Sequence, residues 1–341
     1  MMRRSLFFVS PQRVEIREEQ LPAPAAGQVL VQTIASSISS GTEMLIYRGQ
    51  VTNEKELAES NLSVKNPFQY PFKYGYSCIG QVVSLGTGVP SEWAEKRVFS
   101  FNPHESHFLA GLEELIPIPD SMSVERSLFI PNMETAVNFL LDSQPVIGEQ
   151  VAVFGTGVVG LLTISVLAQF PLQTLAGIDR LEQRRALALE AGAHRVFPPE
   201  DITGELSTSI LHSLEKGEDG FDLVFELSGS PYALNQAIAV TGFAGRIVIG
   251  SWYAGKTAKL ELGGRFHRSR IRLLSSQVST LTPGLAGRWN RSRRMFVALQ
   301  QLSIIKPEKW ITHRMRFDDA QAAYSILDKS PEEALQVVLF Y

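Results

Sequence analysis

Cysteine is all but absent: Cys78 is the only one in 341 residues. A single thiol excludes an internal disulfide and any cysteine-rich zinc site. It suits a reducing compartment, so a cytoplasmic location is expected. Long apolar runs are missing too: none approaches the ~20 residues that span a bilayer as a helix, and no membrane partner is expected. The opening MMRRSLFFVS sets a basic pair before a short apolar run, as a signal peptide does. That run stops at Val9, Pro11 and charged residues follow, and there is no small-residue cleavage pattern, so a first strand is expected instead. An excess of one charge is also lacking, since 32 Lys and Arg face 35 Asp and Glu for a net charge of −3. Such a balance gives no field to draw nucleic acid or an anionic surface, and no nucleic-acid partner is expected. Internal repeats and low-complexity linkers are absent as well.

What is present is a globular composition, 44% hydrophobic and 20% charged, at a length sufficient for two cores. Up to about Met122 the chain reads as short strands between turns: QVLVQTIAS (28–36), IGQVVSLGTGV (79–89) and KRVFSF (96–101). From Ser123 the apolar spacing becomes helical through RSLFIPNMETAVNFLLDS, with Pro131 marking a break or a new start. Strands and helices then alternate. VAVFG (151–155), TLAGID (174–179), FDLVFEL (221–227) and GRIVIGS (245–251) are separated by GVVGLLTISVLAQF, EQRRALALEAGA and PYALNQAIAV. Alternation of this kind predicts an α/β fold, a parallel sheet covered on both faces. After about Ser276 the regularity loosens, until a helix at DDAQAAYSILDKS and a last strand at ALQVVLFY.

The segment Gly155-Thr156-Gly157-Val158-Val159-Gly160 matches G-x-G-x-x-G, with an apolar strand running in and an uncharged helix leading out. In that setting the first glycine permits a tight turn. The second lets backbone N–H groups approach a pyrophosphate, and the third lets helix and strand pack closely. Asp179 falls at the end of the next strand, where a carboxylate accepts ribose hydroxyls and repels a 2′-phosphate. NAD(H) is therefore the expected cofactor. Arg180 and Arg184 hold NADP open, because a guanidinium beside the ribose binds a 2′-phosphate. The alternative for Arg180, Arg184 and Arg185 is a solvated helix face paired with Glu182.

A strand-rich beginning, a glycine loop after residue 150 and a short returning tail together resemble the medium-chain dehydrogenase/reductase superfamily, in its zinc-type alcohol dehydrogenase-like form. The resemblance spans essentially the whole chain and is carried by LPAPAAGQVLVQTIASSISSGTEMLIYRG, IGQVVSLGTGV, KRVFSF, IPIPD, the glycine loop, DLVFELSGSP and GRIVIGS. It implies a GroES-like β-rich catalytic domain from residues 1–125 and 276–341, and a Rossmann nucleotide-binding domain, a doubly wound parallel sheet, at 126–275. It implies cofactor contacts from Ser228 and Gly229 in DLVFELSGSP, from Gly250 in GRIVIGS, and from Thr135, at a position facing the nicotinamide. Zinc-dependent members carry Cys-Gly-Thr-Asp where this chain has Ser40-Gly41-Thr42-Glu43, and Gly-His-Glu where it has Gly75-Tyr76-Ser77. The third ligand would fall near Pro131 or Asn132. Weak or impossible ligands stand at every matched position, so no catalytic zinc is expected. SSGTEML, YGYSCIGQVV and RIRLLSSQVS are similar to a narrower branch, one that includes the enzyme oxidising the hydroxyethyl group of bacteriochlorophyllide.

Without the metal, hydride transfer needs hydrogen-bond donors and a proton relay. The resemblance makes Thr42 the relay hydroxyl, although Leu45 stands where many members continue the relay with histidine. Tyr76 replaces a ligand, and its phenol either donates to a substrate oxygen or fills the vacated space. Glu43 is expected in a structural or supporting role, and Tyr47, His104 and Glu134 are candidates for substrate contact. For Tyr47 and Glu134 a packing or surface role is the alternative. His104 and His107, in FNPHESHFLAG, otherwise read as ordinary loop histidines, and Cys78 as a small buried residue. Arg265 to Arg272 and Arg288 to Arg294 form an arginine-rich stretch that either grips an acidic substrate or faces solvent. Three functions stay open: an NAD(P)(H)-dependent oxidoreductase joining a secondary alcohol and a ketone of a bulky small molecule, a quinone- or enoyl-type C=C reductase, and a non-catalytic nucleotide sensor. A homodimer joined along an apolar sheet edge at GRIVIGSWY is compatible with the sequence.

Overall fold

The two sequence patterns become two units in the computed structural model, which describes residues 1–51, 69–202 and 220–341. The first unit takes residues 1–131 and 306–341, and the second takes 132–305. In the first, β1 (Met2–Ser10) and β2 (Arg13–Gln20) form a hairpin. It is followed by β3 (Gln28–Ile38), the short helix α1 (Thr42–Tyr47), β4 (Cys78–Leu85), β5 (Arg97–Ser100), β6 (His107–Gly111), β7 (Ile116–Pro117) and α2 (Val124–Ser127). Helix α3 (Ile130–Ser143) opens at the boundary. Pro131 sits in its first turn, where the missing N–H breaks no intrahelical bond.

The second unit continues with β8 (Gln150–Phe154), α4 (Val158–Leu167), β9 (Thr174–Ile178), α5 (Glu182–Glu190), β10 (Arg195–Phe197), β11 (Phe221–Glu226), α6 (Ala233–Val240), β12 (Thr241–Ile249), β13 (Arg272–Ser275) and α7 (Arg291–Ile305). Its strands lie in the order β10-β9-β8-β11-β12-β13, and every pairing is parallel. Numbered within the unit this is 3-2-1-4-5-6, the doubly wound arrangement, whose order reverses between β8 and β11. Strands buried on both faces must be apolar throughout, and all five residues of β8 are buried. One sheet face packs Phe154, Val224 and Ile247 against Leu234, Ala237 and Ile238 of α6.

The returning tail adds β14 (Ile311–Arg316), α8 (Ala320–Lys329) and β15 (Gln336–Phe340) to the first unit. Its larger sheet runs β14-β15-β3-β4-β5-β7, with β6 also paired to β3. Long β3 is the spine, meeting β15 at one end, β4 along its length and β6 at the start. Val29, Val31, Cys78, Val82, Val98 and Phe108 fill one core cluster of this unit.

Two expectations change here. The unit boundaries fall at 131 and 305, where the sequence pattern put them at 125 and 275. The reason lies in 276–305, where α7 packs on α4 and the guanidinium of Arg294 is buried against α3. GRIVIGS is also not a sheet edge, because β12 is paired on both sides and β13 is the outer strand. No helix among the described residues is long and apolar enough to cross a membrane.

Candidate functional site

Candidate chemistry is concentrated in two places, one in each unit. In the second, β8 ends at the glycine loop, at the point where strand order reverses. Gly155 has φ +89, and a Cβ there would stand 2.5 Å from Ser228 Cα. A Cβ on Gly160 would lie 1.9 Å from the Gly155 carbonyl oxygen. Gly157 differs: it precedes α4, and a Cβ on it would meet only an Arg184 guanidinium nitrogen, at 3.9 Å. Two glycines are thus required by the fold, whereas the middle one borders open space at a helix N-terminus. There the first N–H groups have no intrahelical partners. Val158 is buried and Val159 half-buried in that first turn. Thr156 Oγ1 is buried and makes no hydrogen bond among the described residues.

Asp179, 7% exposed, follows β9 directly. Its Oδ2 accepts from the Thr156 N–H at 2.8 Å and its Oδ1 from the Leu181 N–H at 2.9 Å. The carboxylate therefore holds the glycine loop and the next turn together, and each oxygen retains a lone pair. Arg185, read as a possible solvated residue, instead donates to the carbonyls of Asp179 and Arg180 at 2.8 and 3.0 Å. Arg180 is exposed. Arg184 is half-buried, and that burial lowers its pKa against the opposing pull of Asp179. Opposite the loop, Glu226 at the end of β11 is fully buried. It accepts from the Ser228 N–H at 2.9 Å and from the hydroxyls of Ser228 and Tyr253. Gly229, at φ +71, donates to Ser251 Oγ at 2.9 Å. Gly250 donates to the Glu226 carbonyl at 3.1 Å, and a Cβ there would strike the Phe139 ring at 2.3 Å. Sequence reasoning passed over Glu226, whose signal was a lone carboxylate inside the apolar run FDLVFEL.

Thr135 is half-buried on α3. Its neighbour Glu134 is not a surface group: Arg294 bonds its Oε1 through Nε at 3.0 Å and Nη2 at 2.8 Å. The remaining donors of Arg294 reach Asn138 Oδ1 at 2.6 Å, Thr280 O at 3.3 Å and Val278 O at 2.6 Å. All five guanidinium N–H groups are therefore used, and Arg294 is 2% exposed. This corrects two expectations. Arg294 neither faces solvent nor grips a substrate, and the charge of Glu134 is already neutralised within the protein.

In the first unit, β3 runs through Ser39 into α1, and the segment before β4 brings Tyr76 alongside. Tyr76 donates to Ser39 Oγ at 2.6 Å, and the Thr42 N–H donates to the same oxygen at 3.2 Å. Thr42 also hydrogen-bonds the phenol through its side chain. Burial pushes the Tyr76 pKa up to about 12, helped by the nearby Glu43 charge and opposed by the Ser39 and Thr42 bonds. All three hydroxyl-bearing residues are half-buried. Ser39 was not singled out in the sequence, where it is one of four serines in SSISS.

Below them Glu43 is fully buried. Its Oε1 accepts from the Ser39 N–H at 3.0 Å, and its Oε2 meets His104 Nε2 at 3.0 Å and the Tyr324 hydroxyl at 2.5 Å. His104 Nδ1 lies 2.7 Å from Ser36 Oγ, which is 3.0 Å from the Tyr341 hydroxyl. Burial, then the Glu43 charge, raises the Tyr324 pKa well above its usual value. His104 is thus corrected from a loop histidine near substrate to a core residue with no exposed surface and both ring nitrogens engaged. Tyr47 is corrected likewise: it is 3% exposed, stacks on Tyr324 at 5.3 Å and accepts from Gln321 at 2.9 Å. Its partner-filled position leaves no free face for substrate. Cys78 is buried, and its thiol is pushed up to about 12, chiefly by that burial. Among the described residues no three His, Cys, Asp or Glu side chains gather as a metal site would need.

Comparison with known proteins follows this division. Residues 158–291, all within the second unit, match the family model described as zinc-binding dehydrogenase. The Escherichia coli K12 starvation-sensing protein RspB is 24% identical over 99% of both chains. The Bacillus subtilis (R,R)-butanediol dehydrogenase is 28% identical, over 73% of this chain and 75% of its own. Among solved structures, rspB from E. coli CFT073, described as a short chain alcohol dehydrogenase complexed with NADH, aligns with a TM-score of 0.79 and 21% identity. That alignment covers 100% of this chain and 99% of the other. The fold is accordingly the α/β arrangement of those structures, a GroES-like β-rich unit with a Rossmann unit.

Proposed function

We propose that this chain is a zinc-independent, NAD(H)-dependent oxidoreductase interconverting a secondary alcohol and a ketone of a bulky small molecule. The observation that carries the reading is the glycine loop at the strand-order reversal. Its middle glycine alone borders open space, at the N-terminus of α4. A pyrophosphate fits there, beside the guanidinium of Arg184 and the unpartnered Thr156 hydroxyl. The NADH in the similar rspB structure and the alcohol dehydrogenases among the relatives support the same cofactor class and reaction. Preference for NAD(H) over NADP(H) rests on Asp179, whose carboxylate opposes a 2′-phosphate. Exposed Arg180 is the group that would work against it.

A bound reduced nicotinamide supplies a hydride, and the chain's own groups must then deliver a proton to the substrate oxygen. Zinc independence rests on Ser40, Tyr76 and the Pro131–Asn132 pair at the positions of metal ligands in the resembling superfamily. The family description of zinc binding attaches to residues 158–291, which include none of them. Hydroxyls of Thr42 and Tyr76 offer the alternative acid.

The test is a fluorescence titration with NADH and NADPH, followed by reduction of acetoin and fructose with and without a chelator. Tighter NADH binding, turnover indifferent to the chelator and no stoichiometric zinc are expected. Zinc at one per chain, or turnover abolished by chelation, would overturn the metal-free reading. NADH binding with no turnover would favour a sensor.

A further inference from the structure

The three hydroxyls of the first unit have a direction, and that direction singles out a residue the resemblance does not. A serine hydroxyl has two lone pairs and one proton. Ser39 Oγ accepts from the Tyr76 phenol at 2.6 Å and from the Thr42 N–H at 3.2 Å, so both acceptor positions are filled. What remains is its proton, and no acceptor among the described residues takes it. Tyr76 has the opposite situation: its proton is already given to Ser39. Its oxygen is therefore a relay point, bonded in turn to the Thr42 side chain.

We infer that Ser39 is the terminal proton donor to the substrate oxygen, with Tyr76 a positioning residue that polarises and recharges it. This rests on the oxidoreductase reading above and names the acid within it. In the reductive direction the carbonyl carbon receives the hydride from the reduced nicotinamide, which leaves oxidised. The carbonyl oxygen takes the Ser39 proton as its C=O π bond is lost and a new O–H bond forms. Ser39 is reprotonated by Tyr76, Tyr76 by Thr42, and half-buried Thr42 by water. One hydride and one proton are consumed for each ketone reduced. Oxidation of the alcohol runs the same chain backwards.

Three features suit Ser39 to the task. It is half-buried and not sealed in, unlike His104 beneath it. A donor whose own oxygen accepts hydrogen bonds is strengthened by them. Its backbone is held in place, since its N–H is bonded to the buried Glu43 carboxylate at 3.0 Å. The Tyr76 phenol, with its pKa raised to about 12, also keeps its proton throughout the neutral range.

Ser39 also accepts the Thr42 N–H at the start of α1, so removing it alters a turn as well as a donor. Ser39→Asp separates the two, because an aspartate still accepts that N–H but has no proton to give. For acetoin reduction with NADH, Ser39→Ala and Ser39→Asp are each expected to lower kcat by about 10²-fold or more, the loss typical of one oxyanion donor. NADH affinity by fluorescence titration should stay at the parent value in both, and Ser39→Thr should recover most of the turnover. Tyr76→Phe should lose less than Ser39→Ala. It should also change the rate dependence on deuterium content from curved, with several protons moving, to linear. Retention of kcat in Ser39→Ala to within about three-fold of the parent would overturn the inference, as would a greater loss in Tyr76→Phe. Parent protein that binds NADH yet reduces no ketone would overturn the functional reading, and this one with it. Turnover that survives in Ser39→Ala sinks this inference alone.

Discussion

The glycine loop of the second unit and the hydroxyl cluster of the first are held by different kinds of constraint. The loop is a backbone object. Gly155 and Gly160 are needed because a Cβ on either would overlap main-chain atoms, at 2.5 and 1.9 Å. Requirements of that kind are written in a six-residue window, where a sequence displays them. The cluster is a side-chain object, assembled from residues 39, 42 and 76 and supported by 43, 104 and 324. Nothing local in SSISSGTEML says that a tyrosine thirty-seven positions on will donate to its third serine. The difference teaches where local reading can be relied on: for positions set by sterics of the chain against itself, and less for positions set by partners distant in sequence.

The contrast is tested most severely inside the loop. Gly160→Ala places a methyl against a carbonyl of a turn that α4 and β8 both hold, so neither side can yield cheaply. The second unit is expected to lose at least the 1–3 kcal/mol of an overpacked core, roughly, and to bind no NADH. Gly157→Ala meets nothing closer than 3.9 Å at φ −69, so its thermal unfolding should match the parent while NADH affinity falls. Calorimetry and titration of the pair check this. If Gly157→Ala proved the less stable of the two, the division of labour among the glycines would be wrong.

Units as such do not explain legibility, as Arg294 shows. It belongs to the second unit, yet its burial was no easier to foresee than that of His104. In RWNRSRRMF several arginines share one short stretch, and only contact with Glu134 and Asn138, on a helix far away in sequence, selects which is enclosed. Arg294→Met leaves the Glu134 carboxylate buried without its counter-charge. A loss of about 3–5 kcal/mol is expected, the usual result of breaking a buried pair from one side. Adding Glu134→Leu should return much of that, since the stranded charge is then gone. Denaturant unfolding of the single and double variants measures both. A single variant as stable as the parent would mean that the pair contributes nothing and that Glu134 is free for other work.

Much of the fold was legible for the same reason as the loop. Strands β3, β4, β8, β9, β11 and β15 and helices α4, α5, α6 and α8 were anticipated from periodicity within a few residues at each end. Short β10 and β13, and helix α7 with its polar, arginine-rich start, carry too little local pattern to announce themselves. Of the candidate site, Asp179 was placed correctly after β9, but its carboxylate was expected to face a ribose and is found tying Thr156 to Leu181. Glu226 was missed because a buried carboxylate is intelligible only with its partners, Ser228 and Tyr253, in view.

Cys78 refines the comparison from the other side, because it lies in the first unit and was nevertheless legible. In YSCIGQVV the cysteine begins an apolar strand, and the strand pairing that buries it is what the pattern predicts. Burial raises its thiol from 9.0 to about 12, while in the unfolded chain the thiol ionises near its ordinary value. Between those values the unfolded state loses the proton first, so unfolding becomes easier as pH rises. The contribution is fully present below pH 9 and disappears toward about 12. Cys78→Ala should therefore flatten the decline of stability with pH above 9, a modest effect beside those of Gly160 and Arg294. In the folded parent at pH 8 the thiol should resist iodoacetamide and react only on unfolding, since the thiolate is both scarce and enclosed. Rapid alkylation of native protein would show that this strand opens to solvent. The hydroxyl cluster, two residues before Cys78 in the chain, would then owe less to a rigid wall than to the hydrogen bonds of Ser39 and Glu43.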